Sequence, residues 1–106
     1  MKERIKVYLY NKTVKEIDMT DFSIITEDVF SCRDDVVKVE FPEGVIEIGD
    51  SAFEDCRRLE EVVLPQSLKR IGNEAFRGCV NLERLVIPAD VEIGTDVFRG
   101  YINYLG

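Results

Sequence analysis

The chain has 106 residues, enough for one domain, and its 45% hydrophobic and 33% charged residues are ordinary for a folded globular protein. With 14 basic against 21 acidic residues, the net charge of −7 would repel nucleic acid and anionic lipid, which disfavours both as partners. Histidine is absent and the cysteines number three, which disfavours His-based catalysis, a His-ligated metal and a closed disulfide framework.

The first predicted element is a strand over residues 5–10, where apolar and polar side chains alternate with a period of two. Residues 11–13 favour a turn that returns the chain as a hairpin onto residues 14–19. Residues 1–13 are therefore predicted to be a cap strand that covers the N-terminal end of the domain.

A repeat of 23 residues organises the rest of the chain. The pattern apolar-x-x-apolar-x-apolar-Pro occurs at 36–42, 59–65 and 82–88, and residues 45–56 return as 68–79 with the shared core Ile-Gly-x-x-Ala-Phe-x-x-Cys. Because self-similarity at this period indicates a stacked repeat architecture, we predict one domain over 1–106. Its predicted parts are the cap strand 1–13, a degenerate repeat 14–35, the repeats 36–58, 59–81 and 82–100, and a C-terminal tail 101–106.

Each repeat is predicted to begin with a short strand that its proline ends, and stacked copies would form a parallel sheet about 4.8 Å from strand to strand. A turn at Ile-Gly then leads into one or two helical turns, for which Asp50, Asn73 and Thr95 are candidate N-caps. The aromatic residue of each repeat points inward. We therefore expect an internal stack of Phe30, Phe53, Phe76 and Phe98.

The repeat closely resembles the BspA-like class of bacterial leucine-rich repeats. This resemblance implies an α/β, β-rich fold: a right-handed leucine-rich-repeat solenoid with a short parallel sheet on one face and short helical turns opposite. In the family pattern the cysteine, here Cys56 and Cys79, fills space as a small apolar residue. Stacking would place their Cα atoms about 5 Å apart, so the alternative of a disulfide stays open.

Stacking places residue i beside residue i+23, so surface charges can be read down columns. Three sets of predicted neighbours alternate in charge: Glu16, Lys38, Glu61 and Arg84; Glu47, Arg70 and Glu92; and Asp34 and Asp35 beside Arg57 and Arg58. Such pairs hold the register of a sheet and require no ligand.

The neighbouring outward column runs Asp18, Glu40, Val63, Val86 and turns from acidic to apolar. Exposed sheet faces are where repeat proteins usually bind, so this column predicts a contact surface for a protein partner. The alternative is that Val63 and Val86 are there only for their β-propensity. The candidate protein-binding residues are Glu40, Glu61, Val63, Arg84 and Val86.

The leading functional interpretation is a non-catalytic protein-protein interaction module, because no histidine is present to activate Ser51, Ser67 or a cysteine. We assign no catalytic residue, metal site or cofactor. One alternative is a structural element that self-associates through the solenoid ends and residues 101–105. Another, implied by the resemblance, is a fragment of a BspA-like surface adhesin, and a piece of a longer array is a third.

The cellular location is predicted from the first residues and from the hydropathy of the chain. The start Met-Lys-Glu-Arg has no apolar segment of the kind found in secretory signals, and no apolar run approaches the ~20 residues of a membrane span. We expect a cytoplasmic protein, or a secreted or cell-surface one if the chain is a mature fragment.

Overall fold

The computed structural model describes residues 4–18 and 23–98, which are mostly strands and turns. The strands are β1 (Arg4–Leu9), β2 (Val14–Asp18), β3 (Ile24–Ile25), β4 (Val36–Glu40), β5 (Glu47–Ile48), β6 (Glu61–Val63), β7 (Arg70–Ile71), β8 (Arg84–Leu85) and β9 (Glu92–Ile93). The helix α1 (Glu27–Phe30) is the one helix in this part of the chain. The predictions for Met19, for residues 99–100 and for the tail 101–106 lie outside the described residues.

The strands form two sheets in which successive repeats lie side by side. A five-stranded sheet has the order β2-β1-β4-β6-β8, and a four-stranded sheet has the order β3-β5-β7-β9. Lys38 pairs with Glu61 and Glu61 with Arg84 in parallel register, which confirms the predicted 23-residue stacking. The sequence did not predict the four-stranded sheet, in which Arg70 lies between Glu47, 23 residues earlier, and Glu92, 22 residues later.

The segments that carry the Ala-Phe pairs are hydrogen-bonded turns rather than the predicted helical turns. The backbone N–H of Phe53 donates to Ala75 O of the next repeat at 2.7 Å, whereas that of Cys56 donates to Phe53 O of its own turn at 3.1 Å. Ser51 and Asp55 adopt left-handed φ angles of 58° and 60°. Successive backbone N–H groups donate in turn to a carbonyl of their own turn and to a carbonyl of the next repeat. The continuous i to i−4 hydrogen bonds of an α-helix therefore do not form.

The predicted N-caps have a different role in the structure. Asp50 Oδ1 accepts a hydrogen bond from the N–H of Asn73 at 2.8 Å, and Asn73 Oδ1 accepts one from the N–H of Thr95 at 2.9 Å. Each side chain therefore joins its repeat to the next one along the stack instead of capping a helix. The prediction of helix caps was wrong, although the side-chain oxygens of Asp50 and Asn73 still bind backbone N–H groups, and Thr95 takes part as the donor of one of them.

The N-terminal hairpin is confirmed. Its position shows that β2 does not lie beside β4, so Glu16 and Asp18 do not begin the two charge columns as predicted. β1 pairs antiparallel with β2 and also with β4, so it lies between them. Glu16 and Asp18 on β2 were expected beside Lys38 and Glu40, and they lie one strand further out. The reason is that β1 buries Ile5, Val7 and Leu9 against the core and so completes the sheet.

A stack of aromatic rings runs through the core, as predicted. The ring centroids of Phe30 and Phe53 are 4.8 Å apart, those of Phe53 and Phe76 5.1 Å, and those of Phe76 and Phe98 5.9 Å, with planes 8–10° from parallel. The first three rings are fully buried. The stack confirms that equivalent residues of successive repeats are spatial neighbours.

Charged side chains near the hairpin have partners that the columns did not predict. Asp35 pairs with Arg33 of its own turn at 3.0 Å, and this hydrogen-bonded guanidinium lowers the pKa of the Asp35 carboxyl. Arg58 lies over the ring of Tyr10, with its guanidinium carbon 3.9 Å from the ring centroid. The predicted pairing of Asp35 with Arg58 is therefore replaced by a local ion pair and a cation–π contact.

Candidate protein-binding face

The outward face of the five-stranded sheet is the surface on which the predicted site lies. It is built from alternate side chains, since neighbouring residues of a strand point to opposite sides. One row across the sheet is Glu16, Lys6, Glu40 and Val63, and the other is Val14, Tyr8, Lys38, Glu61 and Arg84. Val86 follows directly after β8 and lines the same depression as Val63. Opposite charges and one tyrosine occupy the centre, and Val63 and Val86 lie together where the repeats 59–81 and 82–100 meet.

The apolar end of this face is an open depression of about 280 Å³, here called the valine patch. It is lined by the exposed residues Val63, Val86, Arg84 and Gln66 and by the partly buried Glu61. Val63 is 41% exposed and Val86 is 82% exposed. Val86 lies beyond the end of the sheet, because the pairing of β6 with β8 ends at Val62 and Leu85, whereas the pairing of β4 with β6 continues to Glu40 and Val63.

The charges that border the valine patch are held in place by one another. Glu61 accepts a hydrogen bond from Arg84 Nε at 3.2 Å and lies 3.7 Å from Lys38 Nζ. The Glu61 side chain is 24% exposed and that of Arg84 is 60% exposed. Arg84 Nη1 also lies 3.8 Å from Glu83 Oε2. Because a guanidinium has five N–H groups, Arg84 can still donate to a further acceptor.

Glu40 is the one predicted site residue that does not line the valine patch. Its carboxylate lies 3.1 Å from Lys38 Nζ and accepts a hydrogen bond from the Tyr8 hydroxyl at 3.1 Å. The hydrogen bond from Lys38 lowers the pKa of Glu40, and the same bond raises the pKa of Lys38. Glu40 is thus engaged within the sheet, one strand away from the exposed Val63.

Tyr8 is a member of this face that sequence reasoning missed. Lys38 Nζ lies 5.1 Å from the centroid of its ring, so the tyrosine and the lysine form a cation–π contact in the middle of the sheet. The alternation of β1 placed Tyr8 on the side opposite Val7 and Leu9. The missing information was that β1 pairs with β4, which puts Tyr8 in line with Lys38 and Glu61.

The cysteines offer the other candidate chemistry. Cys56 Sγ donates to Phe30 O at 2.9 Å and Cys79 Sγ donates to Phe53 O at 3.0 Å, and both side chains are fully buried. All three cysteines are free thiols, and Cys32 is exposed. The adjacent Cys56 sulfur and burial together raise the pKa of the Cys79 thiol, which disfavours the reactive thiolate.

Thiol titration should therefore find three free thiols in the denatured, non-reduced protein and one rapidly reacting thiol, Cys32, in the folded protein. The reason is that Cys56 and Cys79 are buried and hydrogen-bonded to carbonyl oxygens. A thiol reagent with an absorbance readout gives both counts, and Cys32→Ser is the control that should abolish the rapid reaction. One free thiol after denaturation would instead mean a disulfide between Cys56 and Cys79.

Two further kinds of feature are absent from the described residues. Among residues 4–18 and 23–98, no three His, Cys, Asp or Glu side chains come together in a way that would hold a metal ion. No helix in the same ranges has the length and apolar character needed to cross a bilayer. The valine patch is thus the feature of this surface that the sequence and the geometry both single out.

The repeat pattern also matches a known family. Six copies of the BspA type leucine rich repeat region match residues 3–104, nearly the whole chain. The chain belongs to the BspA-type leucine-rich repeat family. The resemblance seen in the sequence is thereby confirmed, and a bacterial origin fits this family. BspA-type repeats, like other leucine-rich repeats, generally serve as protein-interaction or structural modules and are generally not enzymes.

A solved structure resembles this BspA-type chain. A leucine-rich repeat protein from Bacteroides ovatus ATCC 8483 has a TM-score of 0.69 and 32% sequence identity to it. The match covers 89% of this chain and 24% of that one, so the chain spans about a quarter of the length of that protein. A search of curated proteins found no match.

Proposed function

We propose that this BspA-type chain is a right-handed solenoid that acts as a non-catalytic protein-binding module, with its partner on the valine patch. The observation that carries the proposal is the pair of exposed valines, Val63 and Val86, side by side on a sheet whose other outward positions are mostly charged or hydrogen-bonded. An apolar pair inside a polar surround has the composition of the centre of an interface.

The geometry supports a protein ligand better than a small molecule. The valine patch is a shallow depression of about 280 Å³, and ligand pockets are deeper clefts that enclose most of their ligand. A protein partner can place one or two apolar side chains on Val63 and Val86. Its acidic groups can then bind the remaining donors of Arg84, and the ion pair with Glu61 holds that arginine in place for this contact.

The rim charges would set the orientation and rate of association more than its strength. Arg84 and Glu61 remain accessible to solvent, and exposed charges steer partners and reject wrong ones while adding little affinity. Burial of the two valines would supply the stronger contribution, because apolar surface removed from water contributes roughly 25 cal/mol per Å². Substitutions at the valines should therefore weaken binding more than substitutions at the rim.

The test is capture of partners by the intact chain and by the double variant Val63→Lys/Val86→Lys. We expect the variant to lose at least about tenfold in captured partner, the loss that about 1.4 kcal/mol of binding energy produces, because two lysines replace the apolar centre of the patch. Its melting temperature should stay within about 2 °C of the parent, since both side chains are exposed.

The matched control is Ile46→Lys/Val80→Lys, which places the same two charges at exposed apolar residues outside the valine patch. This control should capture its partners like the parent chain. The proposal fails if the Val63/Val86 variant binds as well as the parent, or if the control loses binding to the same extent.

A further inference from the structure

Two adjacent arginines, Arg57 and Arg58, lie in the connection between Cys56 and β6, and both are exposed. Neither forms an ion pair with any residue that the structure describes. The other arginines of the described ranges each pair with a carboxylate, namely Arg4, Arg33, Arg70, Arg77 and Arg84. Because the chain carries a net charge of −7, two adjacent guanidiniums without an acidic partner are an exception on its surface.

Arg58 is oriented by the ring of Tyr10. Its guanidinium carbon lies 3.9 Å from the ring centroid, and Tyr10 is 62% exposed. The tyrosine is anchored through its backbone, because its N–H donates to Asp35 O at 2.7 Å. Within residues 4–18 and 23–98 the Arg58 side chain donates no hydrogen bond, so the ring contact holds the guanidinium while its five N–H groups stay available.

Arg57 borders a recess beside this pair. Its side chain lines a depression of about 300 Å³ together with Asp55, Gly78 and Val80. The backbone around it is fixed, because Asn81 Nδ2 donates to Arg57 O at 2.6 Å and so joins the connection to the next repeat. Val80 is 37% exposed and gives the recess an aliphatic wall. The recess therefore has room for an aliphatic side chain next to the Arg57 guanidinium.

Tyr10, Arg57 and Arg58 are here called the arginine site. The site lies within the stack rather than at one of its ends, because described repeats flank Arg58 on both sides, at the equivalent residues Asp35 and Asn81. It is also separate from the valine patch. Arg58 precedes β6, whereas the valine patch lies at the end of that strand, so the two surfaces lie at opposite ends of β6.

We propose that the arginine site binds an acidic segment of a partner protein, in which two carboxylates accept hydrogen bonds from Arg57 and Arg58. An aliphatic side chain of the same segment enters the recess beside Val80. The edge of a guanidinium matches the two oxygens of a carboxylate, and such charge-assisted pairs are stronger than neutral hydrogen bonds. Tyr10 contributes by keeping Arg58 in place before the segment arrives, which lowers the loss of side-chain entropy on binding.

The charges around the arginine site favour a segment with carboxylates over a polyanion. A nucleic acid or an anionic membrane surface needs an extended area of positive charge, whereas this chain is acidic overall and the site has two cations. Asp55 lines the recess next to Arg57. A phosphate group would bring about two negative charges close to this acid, whereas a carboxylate brings one. One carboxylate for each guanidinium therefore matches the site best.

The probe for the test is the peptide Gly-Ser-Glu-Leu-Glu-Ser-Gly, acetylated and amidated at its ends. It is titrated into the isotope-labelled full chain and followed by NMR, which detects the weak affinity expected of exposed charge pairs. We expect the largest shifts at the side-chain N–H groups of Arg57 and Arg58 and at the backbone N–H of Tyr10. The same peptide with glutamine in place of both glutamates should bind at least about fivefold more weakly.

The variant R57Q/R58Q should bind the acidic peptide at least about fivefold more weakly, because it removes both guanidiniums. Its matched control is K6Q/K69Q, which removes two positive charges at exposed residues outside the arginine site and should keep the affinity within about twofold. Both variants should melt within about 2 °C of the parent, since substitutions of exposed residues have small effects on stability.

Substitutions of single residues distinguish the proposed contacts from a general charge effect. R58K keeps the charge but loses the planar fork, so it should weaken binding of the acidic peptide at least about threefold. Y10F keeps the ring and should bind like the parent. Y10L leaves Arg58 without its ring contact and should weaken binding to a similar extent as R58K.

Equal affinity of the parent and R57Q/R58Q for the acidic peptide, or no binding by the parent, would overturn the proposal. Equal affinity of the parent for the glutamate and glutamine peptides would also overturn it. Tighter binding of the same peptide with phosphoserine in place of both glutamates would contradict the assignment to carboxylates. A chain that sediments as a dimer, and that R57Q/R58Q returns to monomers, would overturn the proposal as well, because the occupant would then be a second copy. The arginine site and the valine patch share no residue, so failure of either proposal leaves the other intact.

Discussion

Replacing Phe76 with alanine should lower the free energy of unfolding by about 3–5 kcal/mol. The ring is fully buried and stacks on Phe53 at 5.1 Å and on Phe98 at 5.9 Å. The backbone around it is bonded to the next repeat, with the N–H of Phe76 donating to Val97 O at 2.9 Å. The neighbours therefore cannot collapse into the cavity without breaking hydrogen bonds between repeats, and urea or thermal denaturation measures the loss.

The control is Phe98→Ala, at the end of the stack, where the ring is partly buried and stacks on Phe76. Less apolar surface is lost there, so the decrease in the free energy of unfolding should be clearly smaller. A melting temperature only a degree or two below the parent for Phe76→Ala would contradict the role of the stack. An equally large decrease in the free energy of unfolding for Phe98→Ala would contradict the expected difference between the centre and the end of the stack.

The stacking register could be predicted well from the sequence because the same 23-residue spacing separates successive copies of the repeat. Once residues 36–42, 59–65 and 82–88 are recognised as copies, every equivalent position becomes a spatial neighbour. The column of Lys38, Glu61 and Arg84 follows from that step. Four of the five candidate site residues line or border one depression for the same reason.

The hairpin and the turns could not be predicted from the pattern alone. Alternation in β1 tells which side chains are buried, and it does not tell which strand becomes its second neighbour. The place beside β4 goes to β1 because Val7 and Leu9 are more apolar than the alternating residues of β2. Similarly, an Asx residue before Ala-Phe satisfies a backbone N–H either within a helix or in the next repeat, and the local sequence is the same for both.

The extent of the candidate binding face also depends on the position of β1. With β1 in place, Tyr8 and Lys6 separate the acidic residues of β2 from Glu40, so the outward column is not a continuous acidic run. The apolar end at Val63 and Val86 is unaffected, since it comes from the repeat itself. The columns of equivalent residues do not identify the partner, because two valines and an arginine bind many surfaces of suitable shape.

Replacing Gly72 with alanine should destabilise the chain by about 2–3 kcal/mol, the range expected when a group is forced into a closely packed site. A Cβ at this position would lie 2.6 Å from the backbone N of Asp50 and 2.8 Å from the backbone carbon of Gly49, and it would also meet the Asp50 carboxylate. The carboxylate can rotate away, and the backbone atoms cannot. The added methyl group must therefore push two repeats apart.

The control for this prediction is Asn73→Ala, which removes the hydrogen bond from the N–H of Thr95 to Asn73 Oδ1 and adds no atom between repeats. It should cost about 1 kcal/mol, the contribution of one ordinary hydrogen bond. Urea denaturation of both variants separates the two effects, because Gly72→Ala must exceed Asn73→Ala if backbone contact is the cause. A Gly72→Ala protein within about 0.5 kcal/mol of the parent would mean that the repeats do not approach so closely, since only a loosely spaced stack has room for a methyl group there.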